Sequence, residues 1–339
     1  MDRRVLRIAM LCLLLCVGLV ACGQLGSGEP REEAGNAPAE PKTLRPSEAG
    51  ASKAPLTSEA PAPQTAIGEV LPPEKFDLRI LDVAILDQYL YLEETYSDGT
   101  AQSTDASPMA GKFVVVTYSV RNTGTGPLNV GFSGTLSTDG GESFEESDDA
   151  FHPNALLDGF SGGFELQPRG LELGQFVFDV PADAEPVAVT AGYTNLGDSA
   201  ASAGGTSQAG DVDLTRQAEP GSPPEEVLAL QYEYLNMQAW DLAYERFAEQ
   251  TEDLITEARY TEVNEQEVPN LITQYSFPSV EVQGNNATIE RLITYSEGGV
   301  EGQDKATQEA IIDGGAWRLL MREDQAIYFK TFMQEESTG

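Results

Sequence analysis

Cysteine is the residue type in this sequence whose chemistry is most tightly limited by its position. The chain contains three cysteines, Cys12, Cys16 and Cys22, all at the amino end. A thiol can form a disulfide, ligate a metal, attack an electrophile or carry a covalent lipid. Because no cysteine follows Cys22, the rest of the chain can contain neither a disulfide framework nor a thiolate metal site.

The segment before Cys22 has the composition of an export signal. Three arginines in the first seven residues precede an apolar run over residues 8–21, which is too short to span a bilayer comfortably. Its ending, Leu19-Val20-Ala21-Cys22, resembles the lipobox of bacterial lipoproteins. The resemblance implies cleavage just before Cys22 and a diacylglyceryl group on its thiol. The alternatives are an uncleaved anchor helix and an ordinary secretory signal that contains cysteine.

A lipidated Cys22 would determine where the protein works. Acyl chains contribute about 0.8 kcal/mol per buried methylene, so that two chains hold a protein on a membrane far more firmly than one. We therefore expect an extracytoplasmic protein anchored to the outer face of the cell membrane, with the lipid bilayer as its first partner.

The net charge excludes one class of partner. The chain has 55 acidic against 20 basic residues and a formal charge of −35. Removal of residues 1–21, which carry three Arg and one Asp, takes the charge to −37. Nucleic acid and anionic lipid headgroups attract basic surfaces and repel acidic ones. We therefore expect no nucleic-acid partner.

Composition divides the chain into two blocks that can form hydrophobic cores. Residues 23–66 are rich in Pro, Ala, Glu and Ser and have almost no large apolar residue, which predicts a disordered tether. A second break is rich in Ala, Ser and Gly. The predicted organisation is a signal peptide over 1–21, a tether over 22–66, one domain over 67–196, a linker over 197–222 and a second domain over 223–335.

The first block has the pattern of an all-β domain. Runs of β-branched and aromatic residues predict strands, and turn residues separate them. The polar insert from Tyr96 to Ser107 is expected to be a loop. The block resembles the immunoglobulin-like domain of Gram-positive lipoproteins that is grouped with the mycobacterial immunoprotective extracellular antigen, which implies a β-sandwich without catalytic residues. The segments that carry the resemblance are 111–116, 120–124, 139–141, 166–170 and 174–181.

The second block begins with helical periodicity and continues with strands. Ser222 and Glu225 around two prolines predict a capped helix, and strands follow from about Leu271, the last over Ala326 to Phe332. Tyr234 to Tyr244 and Gly315 to Leu319 resemble segments of the nuclear transport factor two-like superfamily. The predicted fold is therefore multidomain, an immunoglobulin-like sandwich followed by an α+β cone with helices packed on a curved antiparallel sheet.

The resemblance to the cone fold implies a pocket. Enzymes of that fold use a carboxylate base and a polarising hydroxyl or acid inside the cone. The side chains of the required types are Tyr232, Asp241, Tyr244, Tyr275 and Tyr295. The candidates for ligand binding in such a pocket are Trp240, Asp241, Tyr244, Tyr275 and Tyr295. Nothing in the sequence places two of them together, so these side chains are weak candidates for ligand binding, and amphipathic core positions are the alternative.

Two further features have side chains of the types that bind metals. The acidic residues between Asp139 and Asp149 could supply oxygen ligands to calcium, but their spacing does not match the calcium-loop pattern. His152, the sole histidine, has no second nitrogen or sulfur ligand to complete a zinc site. A solvated acidic turn and a loop histidine are the simpler interpretations, and we expect neither a metal nor a cofactor.

The function predicted from sequence is a membrane-anchored, non-catalytic binding or interaction module at the cell envelope. Its expected partner is a cell-envelope protein or a small molecule. The alternatives are a small-molecule carrier or sensor that uses the cone cavity and a cofactor-free isomerase or hydrolase.

Overall fold

The computed structural model describes residues 65–71, 75–95, 101–147, 163–196, 207–266 and 270–332. These residues all belong to one compact unit, Glu59–Gly339. The predicted lipidation site Cys22, most of the predicted tether and His152 lie outside the described residues.

The amino-terminal half forms two sheets that pack face to face. One sheet has the strand order β10-β6-β3-β2, and the other has the order β1-β12-β11-β7-β8 with β9 also paired to β7. Side chains from both sheets form the core between them, among them Val116, Phe176 and Val189. The strands are β1 Thr65–Ile67, β2 Val70–Leu71, β3 Phe76–Leu86, β6 Gly111–Asn122, β7 Leu128–Thr138, β8 Ser143–Glu145, β9 Gly163–Leu166, β10 Leu171–Pro181, β11 Pro186–Asn195 and β12 Ser207–Gln217.

Strand β6 is covered on both of its faces. Val114 and Val116 point into the core between the two sheets, whereas Phe113 and Val115 belong to a second core on the opposite face. Successive side chains of a strand point to opposite faces. An uninterrupted apolar run such as Phe113 to Val116 therefore indicates a sheet with no solvated face.

The carboxyl-terminal half supplies the second cover. Leu230 and Tyr234 of helix α1, with Met237 directly after the helix, pack into the core that contains Phe113. Leu228 and Tyr232 of the helix pack on a separate antiparallel sheet. Four strands in the order β13-β14-β15-β16 make up that sheet. The elements are α1 Pro224–Asn236, α2 Trp240–Tyr244, a 3-10 turn over Glu249–Asp253, α3 Glu257–Gln266, β13 Asn270–Gln283, β14 Asn286–Glu297, β15 Val300–Asp313, β16 Ala316–Leu319 and α4 Glu323–Thr331.

The predicted fold class is wrong. The described residues are 58% strand and 19% helix, arranged as several sheets with only four short helices, and an α+β cone is not shown. The physical reason lies in α1, which is apolar on two sides: one side meets the sandwich and the other meets the sheet β13 to β16. The helix is thus a layer shared by two sheets instead of the lid of an independent cone.

The start and the end of helix α1 are set by backbone geometry. Pro223 is the N-cap residue and makes no side-chain cap hydrogen bond, so the predicted cap by Ser222 is wrong. At the other end, Gln238 adopts a left-handed backbone with φ of 55°, and the amide of Ala239 donates to the carbonyl of Tyr234 over 2.9 Å. This reversal closes the helix and directs the chain into α2.

Three local predictions also differ from the structure. Residues 326–332 were expected to form a strand, yet they lie mainly in helix α4. The predicted linker contains strand β12, which pairs with β11 and with β1. The predicted loop from Tyr96 to Ser107 contains strand β5 Ala101–Ala106, which pairs with β4 Tyr89–Thr95.

Buried polar contacts join α1 to the sandwich. The hydroxyl of Tyr91 donates to Glu233 over 2.7 Å, and the hydroxyl of Tyr234 donates to Asp82 over 2.6 Å. Glu226, only 1% exposed, lies 3.1 Å from Nε of Arg79. Charges removed from water need partners of this kind, which fixes the orientation of α1 on the sandwich.

Candidate functional site

A pocket of about 380 Å³ lies between helix α1 and the sheet β13 to β16. Its wall includes Tyr232 of α1, Tyr260 of α3, Ile293 of β14 and Phe329 of α4. The volume falls within the range of about 300–1,000 Å³ that is usual for small-molecule sites. Helices supply one wall and the sheet supplies the other, so the pocket is a product of the packing of α1 between two sheets.

One ion pair lies in the wall of the pocket. Nη2 of Arg291 on β14 donates to Asp304 on β15 over 2.8 Å, and Nη1 donates to the hydroxyl oxygen of Tyr232 over 3.3 Å. The side chain of Arg291 is 14% exposed and that of Asp304 is 44% exposed. Burial raises the pKa of Tyr232, and the positive charge of Arg291 opposes the rise, so the phenol is neutral at physiological pH.

Two buried glutamines also line the pocket. Nε2 of Gln308 donates to the carbonyls of Glu309 and Leu320 over 3.0 and 2.7 Å. Nε2 of Gln231 donates to the carbonyl of Ala243 over 3.4 Å. Backbone carbonyls can only accept hydrogen bonds, so the end of each side-chain amide that faces them must be the nitrogen. The carbonyl oxygen of each glutamine is the end left for another donor.

An aromatic ring is held against the sheet beside this polar group. Tyr295 of β14 lies directly opposite Gly302 of β15 in the strand register. A Cβ atom added to Gly302 would lie 2.6 Å from Cζ of Tyr295, closer than atoms can pack. The glycine therefore makes room for the ring, and Tyr295 forms a wall of the pocket.

The structure brings together two of the five side chains predicted for a pocket. Trp240 and Tyr295 line the pocket. Asp241 is exposed and lines neither described cleft. Tyr275 packs its ring 5.7 Å from that of Tyr232, and its hydroxyl is hydrogen-bonded to Glu233 on the side of the sandwich.

Tyr244 lies in a different cleft. Its hydroxyl donates to the carbonyl of Ile255 over 2.6 Å, and the surrounding wall contains Glu249, Glu257 and Arg318. A base at Asp241 and a polarising hydroxyl at Tyr244 would have to share one pocket, and these two do not.

The sequence pointed to Tyr232 but not to the charged and amide side chains that line the pocket. Arg291, Asp304 and Gln308 stand in strands β14 and β15 among exposed polar side chains, and a single sequence does not indicate which of them face inward. A signal was present in the alternation itself, because Ile289, Arg291 and Ile293 share one face of β14. A charged residue between two apolar ones on the inward face is a candidate for a buried ion pair.

The structure describes only part of the acidic turn that follows β7. The amide of Gly134 donates to Glu146 over 2.7 Å, and the hydroxyl of Thr135 donates to Glu145 over 3.3 Å. Within the described ranges, no three Asp, Glu, His or Cys side chains are grouped so that they could hold a metal ion. Asp148 and Asp149 lie outside these ranges.

Comparisons with known proteins reveal no family. No protein-family model matches the sequence, and no curated protein matches it. None of the helices in the described ranges is long and apolar enough to cross a bilayer.

Three solved structures share limited likeness with the chain. The yjhA protein from Bacillus subtilis has a TM-score of 0.27 at 15% identity over 44% of this chain and 99% of that one. A β-sandwich protein from Clostridium difficile has a TM-score of 0.26 at 16% identity over 42% and 94%. A SEC-C motif containing protein from Rhodopseudomonas palustris has a TM-score of 0.26 at 16% identity over 29% and 75%. Scores of this size carry no argument about function, which has to be argued from the site.

Proposed function

We propose that this protein is a membrane-anchored extracytoplasmic binding protein that holds a small molecule in the pocket between α1 and the sheet β13 to β16. The observation that carries the proposal is the lining of that pocket, where aromatic walls surround a few convergent polar groups. Pockets of this composition and size are typical of small-molecule sites. The lipobox-like ending at Cys22 supports the anchored location.

Binding without catalysis is the function that this geometry supports best. General acid–base catalysis needs a titratable side chain held within hydrogen-bond reach of the proton that it transfers. The charged side chains in the pocket wall are Arg291 and Asp304, and they neutralise one another across 2.8 Å. The pair orients a ligand and leaves no poised base.

Replacement of Cys22 tests the location. Cys22→Ser removes the thiol that would accept the diacylglyceryl group, so the protein is expected to lose labelling by radioactive fatty acid and to leave the membrane fraction. Cys16→Ser is the matched control, because it removes a thiol from the same segment and should preserve both labelling and membrane attachment. Labelled, membrane-bound Cys22→Ser protein would contradict the proposed anchor.

A panel of ligands tests the binding function itself. The full chain in a sugar-free detergent is titrated by calorimetry with neutral sugars, octanoate and spermidine. Saturable binding of any one of these classes at one site per chain is expected. A flat titration with every compound would overturn the proposal.

A further inference from the structure

Some hydrogen-bonding groups in the pocket have no partner in the protein, and they restrict the chemical class of the ligand. Gln308 is 5% exposed and Gln231 is 6% exposed. Nε2 of Gln308 donates to two backbone carbonyls, and Nε2 of Gln231 donates to one. Among the described residues, neither carbonyl oxygen accepts a hydrogen bond. Neither oxygen is among the fully buried side-chain atoms that lack a partner, so each is accessible and can accept a hydrogen bond from a ligand that donates.

The pocket also presents a buried donor. The hydroxyl oxygen of Tyr232 accepts a hydrogen bond from Arg291, and its own hydrogen has no acceptor among the described side chains. Tyr232 is 4% exposed, so water serves this hydrogen only from inside the pocket. A fitting ligand therefore both donates and accepts within a few ångströms, as a hydroxyl group does.

Charge excludes strongly ionic ligands. Arg291 and Asp304 are the charged side chains in the wall, and their ion pair leaves the pocket close to neutral. The rest of the chain is strongly acidic, with a net charge of −35, and repels polyanions. A cation would meet one carboxylate that already has a partner.

The apolar part of the wall is aromatic. Trp240, Tyr295 and Phe329 line the pocket with only partial exposure. Aromatic faces pack against the C–H faces of ring compounds while edge groups provide hydrogen bonds. At about 380 Å³, the pocket has room for one or two small rings.

We propose that the pocket binds a neutral, polyhydroxylated ring compound, that is, a sugar unit. Its hydroxyl groups donate to the carbonyl oxygens of Gln231 and Gln308 and accept from the hydroxyl of Tyr232, while a ring face packs on the aromatic wall. This inference rests on the proposed function, because it names the ligand class of the same pocket.

The decisive experiment compares two changes of equal size. The full chain in a sugar-free detergent is titrated by calorimetry with glucose, N-acetylglucosamine and maltose, beside octanoate and spermidine. At least one sugar is expected to bind saturably. Tyr232→Phe deletes one hydroxyl from the pocket and should weaken that affinity about fivefold, the effect of one hydrogen bond.

Tyr193→Phe is the matched control. Tyr193 packs against Phe76 in the sandwich, outside the pocket, and its replacement should leave sugar affinity unchanged. Circular dichroism of both variants establishes that they are folded, and Gln231→Met, which keeps the length of the side chain and removes its carbonyl, is a second variant expected to weaken binding.

The outcomes separate this inference from the proposed function. Sugar binding that both Tyr→Phe variants retain equally would place the sugar outside this pocket and overturn the inference. Binding of octanoate or spermidine without any sugar would overturn the ligand class and leave the binding function standing. No binding by any compound would overturn both.

Discussion

At the scale of single residues, two carboxylates meet where α1 packs on the sandwich. Glu233 of α1 accepts a hydrogen bond from Tyr91, and Glu172 of β10 lies near enough to be affected by its charge. Burial, with the charge of Glu233 second, raises the pKa of Glu172 to about 7 from an ordinary value of 4.5. Two negative charges in a poorly solvated site are costly, so at pH values between the unfolded and the folded pKa Glu172 takes up a proton when the protein folds.

This proton makes stability depend on pH. The folded pKa of Glu172 is the higher one, so that its ionisation opposes folding and stability falls as pH rises from about 5 to 7, by at most about 1.4 kcal/mol per pH unit. Glu172→Gln should remove this contribution, which urea unfolding at pH 5, 6, 7 and 8 measures. The exposed Glu165→Gln is the control and should keep the dependence of the unmodified protein. Identical pH profiles for Glu172→Gln and the unmodified protein would contradict the assignment.

Little of this residue-level arrangement could be predicted from sequence. Trp240 and Tyr295 were candidates because of the resemblance to the cone fold, and both line the pocket, whereas Asp241, a candidate on the same ground, is exposed. Partners such as Tyr91 and Glu233 are 142 positions apart. No local pattern encodes a contact between segments so distant.

At the scale of elements, the register of β14 on β15 shapes the pocket. Gly302 lies opposite Tyr295, and a Cβ atom there would lie 2.7 Å from the tyrosine hydroxyl oxygen and 2.6 Å from Cζ. Both are atoms at the far end of a flexible side chain, which can rotate away. The glycine therefore controls the position of the ring more than the stability of the sheet.

Gly302→Ala is expected to displace the ring of Tyr295 and to reduce ligand affinity. The free energy of unfolding should change by less than about 1 kcal/mol, since the ring can move and alanine suits a strand better than glycine does. A crystal structure of the variant and a urea titration check the two parts. Gly126→Ala, where no atom lies within 4 Å of the added Cβ, is the control with neither effect. An unmoved ring would contradict the steric role.

Strands were easier to predict than the helix at the carboxyl end. β6 and β10 have dense β-branched and aromatic runs, and the structure confirms both. Residues 326–332 also contain apolar and aromatic residues, but Ile327 and Tyr328 are 59% and 44% exposed in the helix. The segment is helical because Ala326 and Phe329, three positions apart, face the core together. Strand β12 was not predicted, because its side chains do not form a clear strand pattern. It is a strand because its backbone pairs with β11 and with β1.

At the scale of the whole molecule, the second core couples the two halves. Phe113, Val115 and Leu173 of the sandwich share one buried cluster with Leu230 and Tyr234 of α1. Separation of the halves would expose these side chains, at about 25 cal/mol per Å² of apolar surface. The boundary predicted near residue 223 thus passes through a contact that stabilises both sides.

Phe113→Ala should therefore destabilise both halves together. Removal of a buried phenylalanine costs about 3–5 kcal/mol, and hydrogen exchange followed by mass spectrometry should show equal loss of protection in β10 and in β14. Ile85→Ala is the control, because Ile85 is 49% exposed and its loss should change neither. Full protection of β14 in Phe113→Ala would show that the halves unfold independently.

The continuous apolar run of β6 indicated in the sequence that this strand is buried on both faces. Phe113 to Val116 has no polar residue on either face, which indicates a strand covered twice. A free-standing sandwich would have shown alternation there. The identity of the second cover could not be predicted, since α1 begins more than 100 positions later in the chain.

The parallel pairing of β1 with β12 has a mechanical consequence. Thr65 lies beside Val212, and both strands run in the same direction, while the amide of Ala218 donates to the carbonyl of Ile67 over 2.8 Å. A pull on the chain before β1 and an opposite pull after β12 would act along the strands, so that their hydrogen bonds share the load instead of opening one at a time. A protein tethered at its amino end and loaded through its carboxyl-terminal half would resist such a pull by shear.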